Sequence, residues 1–204
     1  RPTAKRTDIG FENGHAKWAS ATAAVTLDSL NGHAEAARGR LEFAADGTTQ
    51  NAVLEGAVRL VADGRGGDAE KVVEQTSRHL WKLTGSSQQS ARVTSAGSKL
   101  SADAIEIDRD GQTVRGQGRA RAVFSPDGQK KVRLTGFVGD PKKPTYGKAD
   151  LIVLEDATKK GTLSGSASLW QDDSSLFADD ITLSDIDRTV RATGGVRSVM
   201  SPAR

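Results

Sequence analysis

The chain has 204 residues, with 29 Lys and Arg against 26 Asp and Glu, and a formal net charge of +3. This length suits one or two domains or a single array of repeats. The basic residues are spread out and aromatic residues make up only 4% of the chain, which argues against base-stacking platforms, so no nucleic acid is expected as a partner. The absence of Cys excludes disulfides and thiolate metal sites.

No apolar run approaches the length of about 18 residues that a membrane-spanning helix needs. The sequence starts at Arg1, without Met and without an apolar leader. We therefore expect a processed protein or a piece of a longer one. A chain without Cys is compatible with an extracytoplasmic location.

Alternation of apolar and polar residues is the dominant pattern. From Leu54 to Leu60 the even-numbered residues are apolar or glycine, whereas Glu55 and Arg59 occupy the other face. The segments 134–138 and 163–169 repeat this pattern. Successive side chains of a strand point to opposite faces, so the alternation predicts half-buried β-strands. An antiparallel sandwich would show the same alternation.

Residues 69–83 permit two interpretations. Val72, Leu80 and Leu83 share one face of a possible helix, but the segment from Val72 to Thr76 also fits a strand. We favour strands, because the segment lies inside a regular strand rhythm.

That rhythm is set by Leu-x-Gly triplets. The triplets that start at Leu54 and Leu83 are 29 residues apart, and so are those that start at Leu134 and Leu163. Two strands of about 10–12 residues plus their turns fill such a period. Strands of this length favour an elongated stack over a small sandwich.

A longer phrase occurs three times toward the C-terminus. It begins Ala-Asp-x-Ile and reaches a glycine 16 residues after the alanine, and its copies span 102–118, 149–165 and 178–194. Repetition on this scale indicates a stacked architecture and not a single active site.

The Ala-Asp step changes the parity of the apolar face. Leu176 and Ala178 are even-numbered, whereas Ile181 and Leu183 are odd-numbered, and residues 100–107 repeat the switch. One extra residue at a fixed place is typical of a β-bulge or a sharp bend. Bends at Asp179–Asp180 and Asp103 would fold each strand into a V and make the stack a two-walled trough. The alternative is that these Asp residues begin ordinary turns.

Turn signals separate the predicted strands. Four Asp-Gly steps favour hairpin or type I turns: 46–47, 63–64, 110–111 and 127–128. Asp140-Pro141 is a further break, because Pro cannot donate to a strand ladder.

The sequence offers little for catalysis, and no cofactor or metal is expected. His15 and His33 lack the spacing of zinc ligands and are interpreted as exposed turn histidines. The pairs Asp172–Asp173 and Asp179–Asp180 lie at predicted turns or bends, where Asp is favoured. A glycosidase would need two carboxyls opposed across a sugar cleft. No phosphate loop or nucleophile elbow is present.

The positive signal is a continuous apolar inner face. We expect it to be lined by Val58, Leu60, Phe124, Leu134, Ile152, Leu154, Leu163, Leu169, Ile181 and Leu183. Gly and Ala are interspersed on the same face. These small residues would either leave width for acyl chains, worth about 0.8 kcal/mol per buried CH₂, or let two walls approach closely. The sequence does not separate these two interpretations.

Arginines occupy the predicted outer face. Arg59, Arg119, Arg121 and Arg197 lie beside the repeated glycines. Arg suits phosphate, so these residues fit an anionic amphiphile at the trough mouth. A simply solvated outer face is the alternative.

Three phrases resemble the OstA/LptA-like family of lipopolysaccharide-transport proteins: Tyr146-Gly-Lys-Ala-Asp-Leu-Ile-Val-Leu, Leu163-Ser-Gly-Ser-Ala-Ser-Leu and Leu176-Phe-Ala-Asp-Asp-Ile-Thr-Leu. The loose pattern of that family is Leu-x-Gly-x-Val-x-Leu, a short loop, and Leu-x-Ala-Asp-x-Ile-x-Tyr. Its Tyr is Leu154 or Leu183 here. The resemblance implies one continuous domain over 1–204, with the clearest repeats in 100–200 and weaker ones in 37–64. It is weakest over 1–36 and 65–99.

The resemblance also implies a fold and a function. The fold would be all-β, an elongated open β-jellyroll with a V-shaped section, located in the periplasm. Lipid A acyl chains of lipopolysaccharide would lie in the trough. Other domains of the same family, or further copies of this chain, would join head to tail by adding strands at the open edges. The family has no catalytic residues, so the chain is not expected to be an enzyme.

Two other functions remain open at the level of sequence. The first is a structural β scaffold with a filled core that binds protein partners only by its edges. The second is a carbohydrate-active β-solenoid enzyme that uses Asp179 and Asp180. The sequence does not say which component of a transport chain this would be.

Overall fold

The computed structural model describes residues 2–29, 32–62, 64–95, 98–125, 143–187 and 189–200, and most of them lie in strands. The strands are β1 (Pro2–Thr3), β2 (Arg6–Glu12), β3 (His15–Ser29), β4 (Gly32–Phe43), β5 (Thr49–Ala62), β6 (Arg65–Gln75), β7 (Leu80–Thr84), β8 (Ala91–Ser95), β9 (Ser98–Ala102), β10 (Ala104–Asp108), β11 (Thr113–Phe124), β12 (Thr145–Glu155), β13 (Lys160–Gln171), β14 (Ser174–Ser184), β15 (Thr189–Thr193) and β16 (Arg197–Val199). A short 3₁₀ helix spans Thr76–Arg78. Among the described residues, no helix has the length and apolar character to cross a membrane.

The described strands form one antiparallel sheet in which the long strands each serve two walls. In β6, residues 71–75 pair with β7, whereas residues 65–68 pair with β8. In β11, residues 113–117 pair with β10 and residues 121–123 pair with β9. We call wall A the half of the sheet that contains β7, β10 and β15, and wall B the half that contains β8, β9 and β16. The predicted all-β, V-shaped open jellyroll is confirmed.

The strands pass from wall to wall through a corner made of two left-handed residues. In β13 the corner residues are Gly165 (φ +78°) and Ser166 (φ +48°). They face the single residue Asp179 of β14, because the pairing register shifts between Ser164 and Ala167. Two residues opposite one is the definition of a β-bulge. The left-handed region disfavours side chains, so Gly takes the first position.

The same corner recurs along the stack. It is formed by Gly56–Ala57 in β5 and by Gly118–Arg119 in β11, all with positive φ. At the N-terminal end, Ala23 and Ala24 of β3 adopt positive φ without any glycine. Each pair coincides with a register shift toward the next strand. The repeats of the sequence therefore correspond to repeated corners.

The spacing of the sequence phrase is explained by contacts at these corners. Each glycine of the phrase lies beside the Asp 15 positions before it: a Cβ added to Gly118, Gly165 or Gly194 would come within 2.6, 2.6 or 2.1 Å of an oxygen of Asp103, Asp150 or Asp179. The backbone N–H groups of Asp103 and Asp179 donate to the carbonyls of Gly118 and Gly194 at 2.9 and 2.8 Å. Asp and Gly of one phrase thus build one corner.

The predicted change of parity is confirmed, but its location within the bulge differs from the expectation. In β14, Leu176, Ala178, Ile181 and Leu183 are buried, whereas Asp179 is exposed. The extra residue is not in this strand: it lies in the partner strand at the glycine. The strand that carries Ala-Asp turns the corner with ordinary residues opposite the bulge. At Asp103 the chain does bend, between β9 and β10.

Residues 65–99, over which the family resemblance is weakest, include an irregular part of the stack. Here two long strands are each replaced by two short ones, which still occupy both walls: β7 and β8 pair with β6, and β9 and β10 pair with β11. Residues 85–90 connect β7 to β8 outside the strands. The preference for strands over a helix in 69–83 is confirmed, with Thr76–Arg78 as a 3₁₀ turn between β6 and β7.

Of the four Asp-Gly steps, two lie wholly within the described residues. The steps at 46–47 and 110–111 form the β4–β5 and β10–β11 turns, as expected. Gly64 lies in the β5–β6 turn, but Asp63 lies outside the described residues, and so do 127–128 and Asp140-Pro141. The Leu-x-Gly triplet at 134–136 falls in the same undescribed stretch.

The corner predicts that replacing glycine by alanine lowers the free energy of unfolding more at Gly165 than at a turn glycine with a similar φ. Gly165→Ala should lower the free energy of unfolding by about 1–3 kcal/mol, because it adds a Cβ in the left-handed region and against Asp150. Gly47→Ala is the matched control: its φ is +81°, but nothing lies within 4 Å of an added Cβ. Chemical denaturation of both variants measures the difference. Equal losses would show that the Asp–Gly contact contributes nothing beyond the backbone conformation.

Candidate functional site: the space between the two walls

The predicted inner residues converge on the space between the walls. Eight of them are nearly inaccessible to solvent and belong to one apolar cluster, with exposed fractions of 6% or less: Val58, Leu60, Phe124, Ile152, Leu163, Leu169, Ile181 and Leu183. Leu154 is half-buried and packs against the same cluster. Leu134 lies outside the described residues. Whether this surface binds lipid stays a prediction.

The small residues of the interior have two separate roles. The glycines of the repeated phrase form the corners: Gly118 and Gly165 both have positive φ. Other glycines let the walls approach. A Cβ on Gly147 of wall B would lie 2.9 Å from Leu163 of wall A, and one on Gly67 would lie 3.2 Å from Leu83. Side chains of the opposite wall fill the space that these glycines leave.

A cavity of about 70 Å³ remains between the walls near the middle of the stack. Its apolar lining includes Val93, Leu100, Val114, Phe124 and Leu154. For scale, an apolar cavity that admits benzene measures about 150 Å³. We call this arrangement of the walls the closed form; an acyl chain would enter the cavity only if the walls separated.

An ion pair joins the walls at the mouth beside this cavity. Arg65 is the first residue of β6, in wall B, and Asp156 follows β12, in wall A. Arg65 Nη2 lies 2.8 Å from Asp156 Oδ2, and the two side chains are only 14% and 17% exposed. Both residues also line the cavity. We call this pair the mouth clasp. Attraction between two charges is stronger when they are partly removed from water.

Sequence reasoning missed the mouth clasp. Its two residues are 91 positions apart, and neither lies in a motif. The pairing follows only from the two-wall topology, which brings the start of β6 opposite the end of β12.

The outer face carries the predicted arginines. Arg59, Arg119, Arg121 and Arg197 are all exposed. Arg119 binds Asp103 across the corner, with Nη2 2.6 Å from Oδ1, so it is committed to a structural contact. The others remain candidates for anionic ligands.

The candidate catalytic and metal residues have structural roles. Asp172 adopts a positive φ in the β13–β14 turn and pairs with Lys143 at 2.6 Å. Asp179 packs at its corner glycine. His33 lies in strand β4 rather than in a turn, with Nδ1 2.6 Å from Asp28 Oδ1. That hydrogen bond raises the pKa of His33. Across the described ranges, no group of three or more His, Cys, Asp or Glu is arranged to hold a metal ion.

Comparison with known proteins identifies a family resemblance in the C-terminal half of the chain. Residues 99–188 match the family model described as LptA/(LptD N-terminal domain) LPS transport protein. No curated protein sequence matches the chain.

Among solved structures, the chain is similar to LptH from Pseudomonas aeruginosa, described as the LptA-homologous periplasmic component of the conserved lipopolysaccharide transport device. The identity is 16% and the TM-score is 0.54, over 68% of this chain and 95% of LptH. At this identity the likeness shows a shared fold. Residues 99–188 are thus similar to the LptA-like family of lipopolysaccharide-transport proteins, and the described fold as a whole is LptA-like.

Proposed function

We propose that the chain is a non-enzymatic carrier that moves lipopolysaccharide through the periplasm, with acyl chains between walls A and B. The observation that carries the proposal is the continuous apolar interior of an open-ended stack, part of which lies in a segment that matches a lipopolysaccharide-transport family. Burial of each CH₂ contributes about 0.8 kcal/mol, so several acyl chains would repay the separation of the walls.

Entry would begin at the cavity beside the mouth clasp. Phe124 of wall B and Leu154 of wall A both line this cavity. Opening the clasp exposes this region first, because Arg65 and Asp156 close the mouth over it. The clasp is the polar element that holds the closed form.

Partner domains would join at the open edges of the stack. Within the described part of the chain, β1 and β2 pair only with β3 at one end, and β15 and β16 pair only with β14 at the other. Unpaired edges recruit further strands. Lipopolysaccharide-transport domains, or copies of this chain, are the proposed occupants.

A second candidate function is a structural scaffold with a permanently filled core. The dense packing of the interior, with a gap of only about 70 Å³, favours it. The two functions differ in whether the interior ever contacts lipid.

A photo-crosslinker at Phe124 separates the two candidates. A benzoylphenylalanine replaces one aromatic side chain by another at the cavity, and it should capture lipopolysaccharide upon irradiation, as measured by a mass shift. The control places the same probe at Arg115, which is exposed on the outer face of wall A. Capture only from position 115, or from neither, would support the scaffold.

The mouth clasp should control the rate of that capture. Arg65→Gln removes the attraction between the walls, so lipopolysaccharide capture from position 124 should become faster by about tenfold, as expected for a loss of roughly 1.4 kcal/mol in the closed form. Arg38→Gln is the control, because the Arg38–Glu55 pair is longer, 3.7 Å, and its side chains are 66% and 37% exposed. An unchanged rate for Arg65→Gln would exclude the clasp as a barrier.

Edge pairing predicts concentration-dependent elongation. Head-to-tail association should increase both the sedimentation coefficient and the maximum dimension from small-angle scattering, because growth occurs along the stack axis. A monomer of constant dimension over the whole concentration range would contradict association of this chain with itself and leave only other domains as edge partners.

A further inference from the structure

The outer face of wall B carries an aromatic and cationic patch that the interior does not use. Two parallel rows of residues cross β9, β11, β12, β13, β14 and β16 in register. The row nearer the mouth reads Lys99, Val123, Tyr146, Trp170, Ser175 and Val199. The row nearer the corner reads Ser101, Arg121, Lys148, Ser168, Phe177 and Arg197. We call these two rows the wall B patch.

Of the aromatic residues of the patch, Tyr146 and Phe177 are exposed and Trp170 is half-buried, and each contacts a neighbour. The rings of Tyr146 and Trp170 stack, with centroids 5.7 Å apart and planes inclined by 16°. The guanidinium of Arg197 lies 5.9 Å from the ring centre of Phe177. Tyr146 is the single Tyr of a chain with only 4% aromatic residues, so their concentration on one outer face is informative.

The charges of the patch have one sign. Lys99, Arg121, Lys148 and Arg197 are all exposed, and neither row contains a carboxylate. Among the described residues, none of these four cations forms an ion pair with a carboxylate. The nearest acidic side chains are those of the corner, Asp103, Asp150 and Asp179, of which Asp103 pairs with Arg119, and that of Asp172 in the β13–β14 turn, which pairs with Lys143.

The outer face of wall A provides the contrast. There, Glu106 of β10 lies between Lys82 of β7 and Arg115 of β11 in register, and Glu155 lies opposite Lys160. Acidic and basic residues thus alternate on wall A. A solvated sheet face of this mixed kind needs no partner.

We propose that the wall B patch docks the protein on an anionic lipid bilayer surface. Tyr and Trp prefer the headgroup region of a membrane, and Lys and Arg are attracted to anionic lipids. From β9 to β14 the strands under the patch are paired on both sides, and only β16 at its end has a free edge. Most of the patch is therefore the face of a continuous sheet. Such a surface matches a planar partner better than a peptide or a single protein side chain.

The geometry fixes how the protein would lie. The rows cross the strands over six neighbours, about 24 Å at the usual strand separation. They run along the stack axis, so docking places that axis parallel to the membrane, with Tyr146 and Trp170 near the mouth side. Docking uses only outward residues and does not depend on lipid between the walls.

Vesicle co-sedimentation tests the proposal. The chain should bind vesicles of phosphatidylcholine and phosphatidylglycerol in equal parts, bind pure phosphatidylcholine weakly, and lose binding as salt screens the charges. Arg121→Gln combined with Lys148→Gln should weaken binding to the anionic vesicles about 10- to 30-fold. Lys82→Gln combined with Arg115→Gln removes the same two charges from wall A and should change it little.

A second pair of variants tests the aromatic residues. Tyr146→Ser with Phe177→Ser should reduce vesicle binding, whereas Phe11→Ser, which removes an exposed aromatic ring from β2, should not. All variants keep the interior residues, so lipid uptake between the walls affects them equally. Failure of the unaltered chain to bind anionic vesicles overturns the proposal, and equal losses for the wall A and wall B variants overturn it as well. Binding to an acidic protein in place of vesicles would assign the patch to a protein partner.

Discussion

The corner, two left-handed residues opposite one ordinary residue, is the constraint on which the rest of the structure depends. It bends a continuous strand without ending it, so one strand contributes to both walls. Because the side chains before and after the corner face the same interior, the apolar faces of both walls meet in a single core. Without the corner, the same alternation would give a flat sheet with one apolar face exposed to water, which favours aggregation.

The sequence predicts this architecture well where its signal is local. The change of parity between Ala178 and Ile181 revealed the corner, because burial alternates strictly within each half of a strand. It misled about the bulged strand, since the parity changes in the strand opposite the extra residue and not in the strand that contains it. Gly165 marks the strand that contains the bulge. The sequence does not reveal this, because only the φ of +78° distinguishes a corner glycine from one that lets the walls approach.

The sequence predicts which residues line the candidate site, but it does not predict how closely the two walls approach each other. Alternation places Ile152 and Leu163 inside, and the structure agrees. The distance between the walls is set by contacts such as Gly147 against Leu163, and by the ion pair of Arg65 with Asp156, which join residues far apart in the chain. A pattern of single strands carries no information on such contacts. The three surfaces thus differ in kind. The interior is apolar, the outer face of wall A carries both acidic and basic residues, and the patch on the outer face of wall B carries aromatic rings and cations.

The sharing of every long strand by both walls has a consequence for how such proteins change in size. Inserting or deleting one hairpin lengthens or shortens both walls by the same amount and leaves the cross-section unaltered. The break at β7 to β10 shows that even an irregular segment is accommodated if it returns one short strand to each wall. The fold therefore allows the stack to change in length by whole hairpins while the shape of its cross-section stays the same.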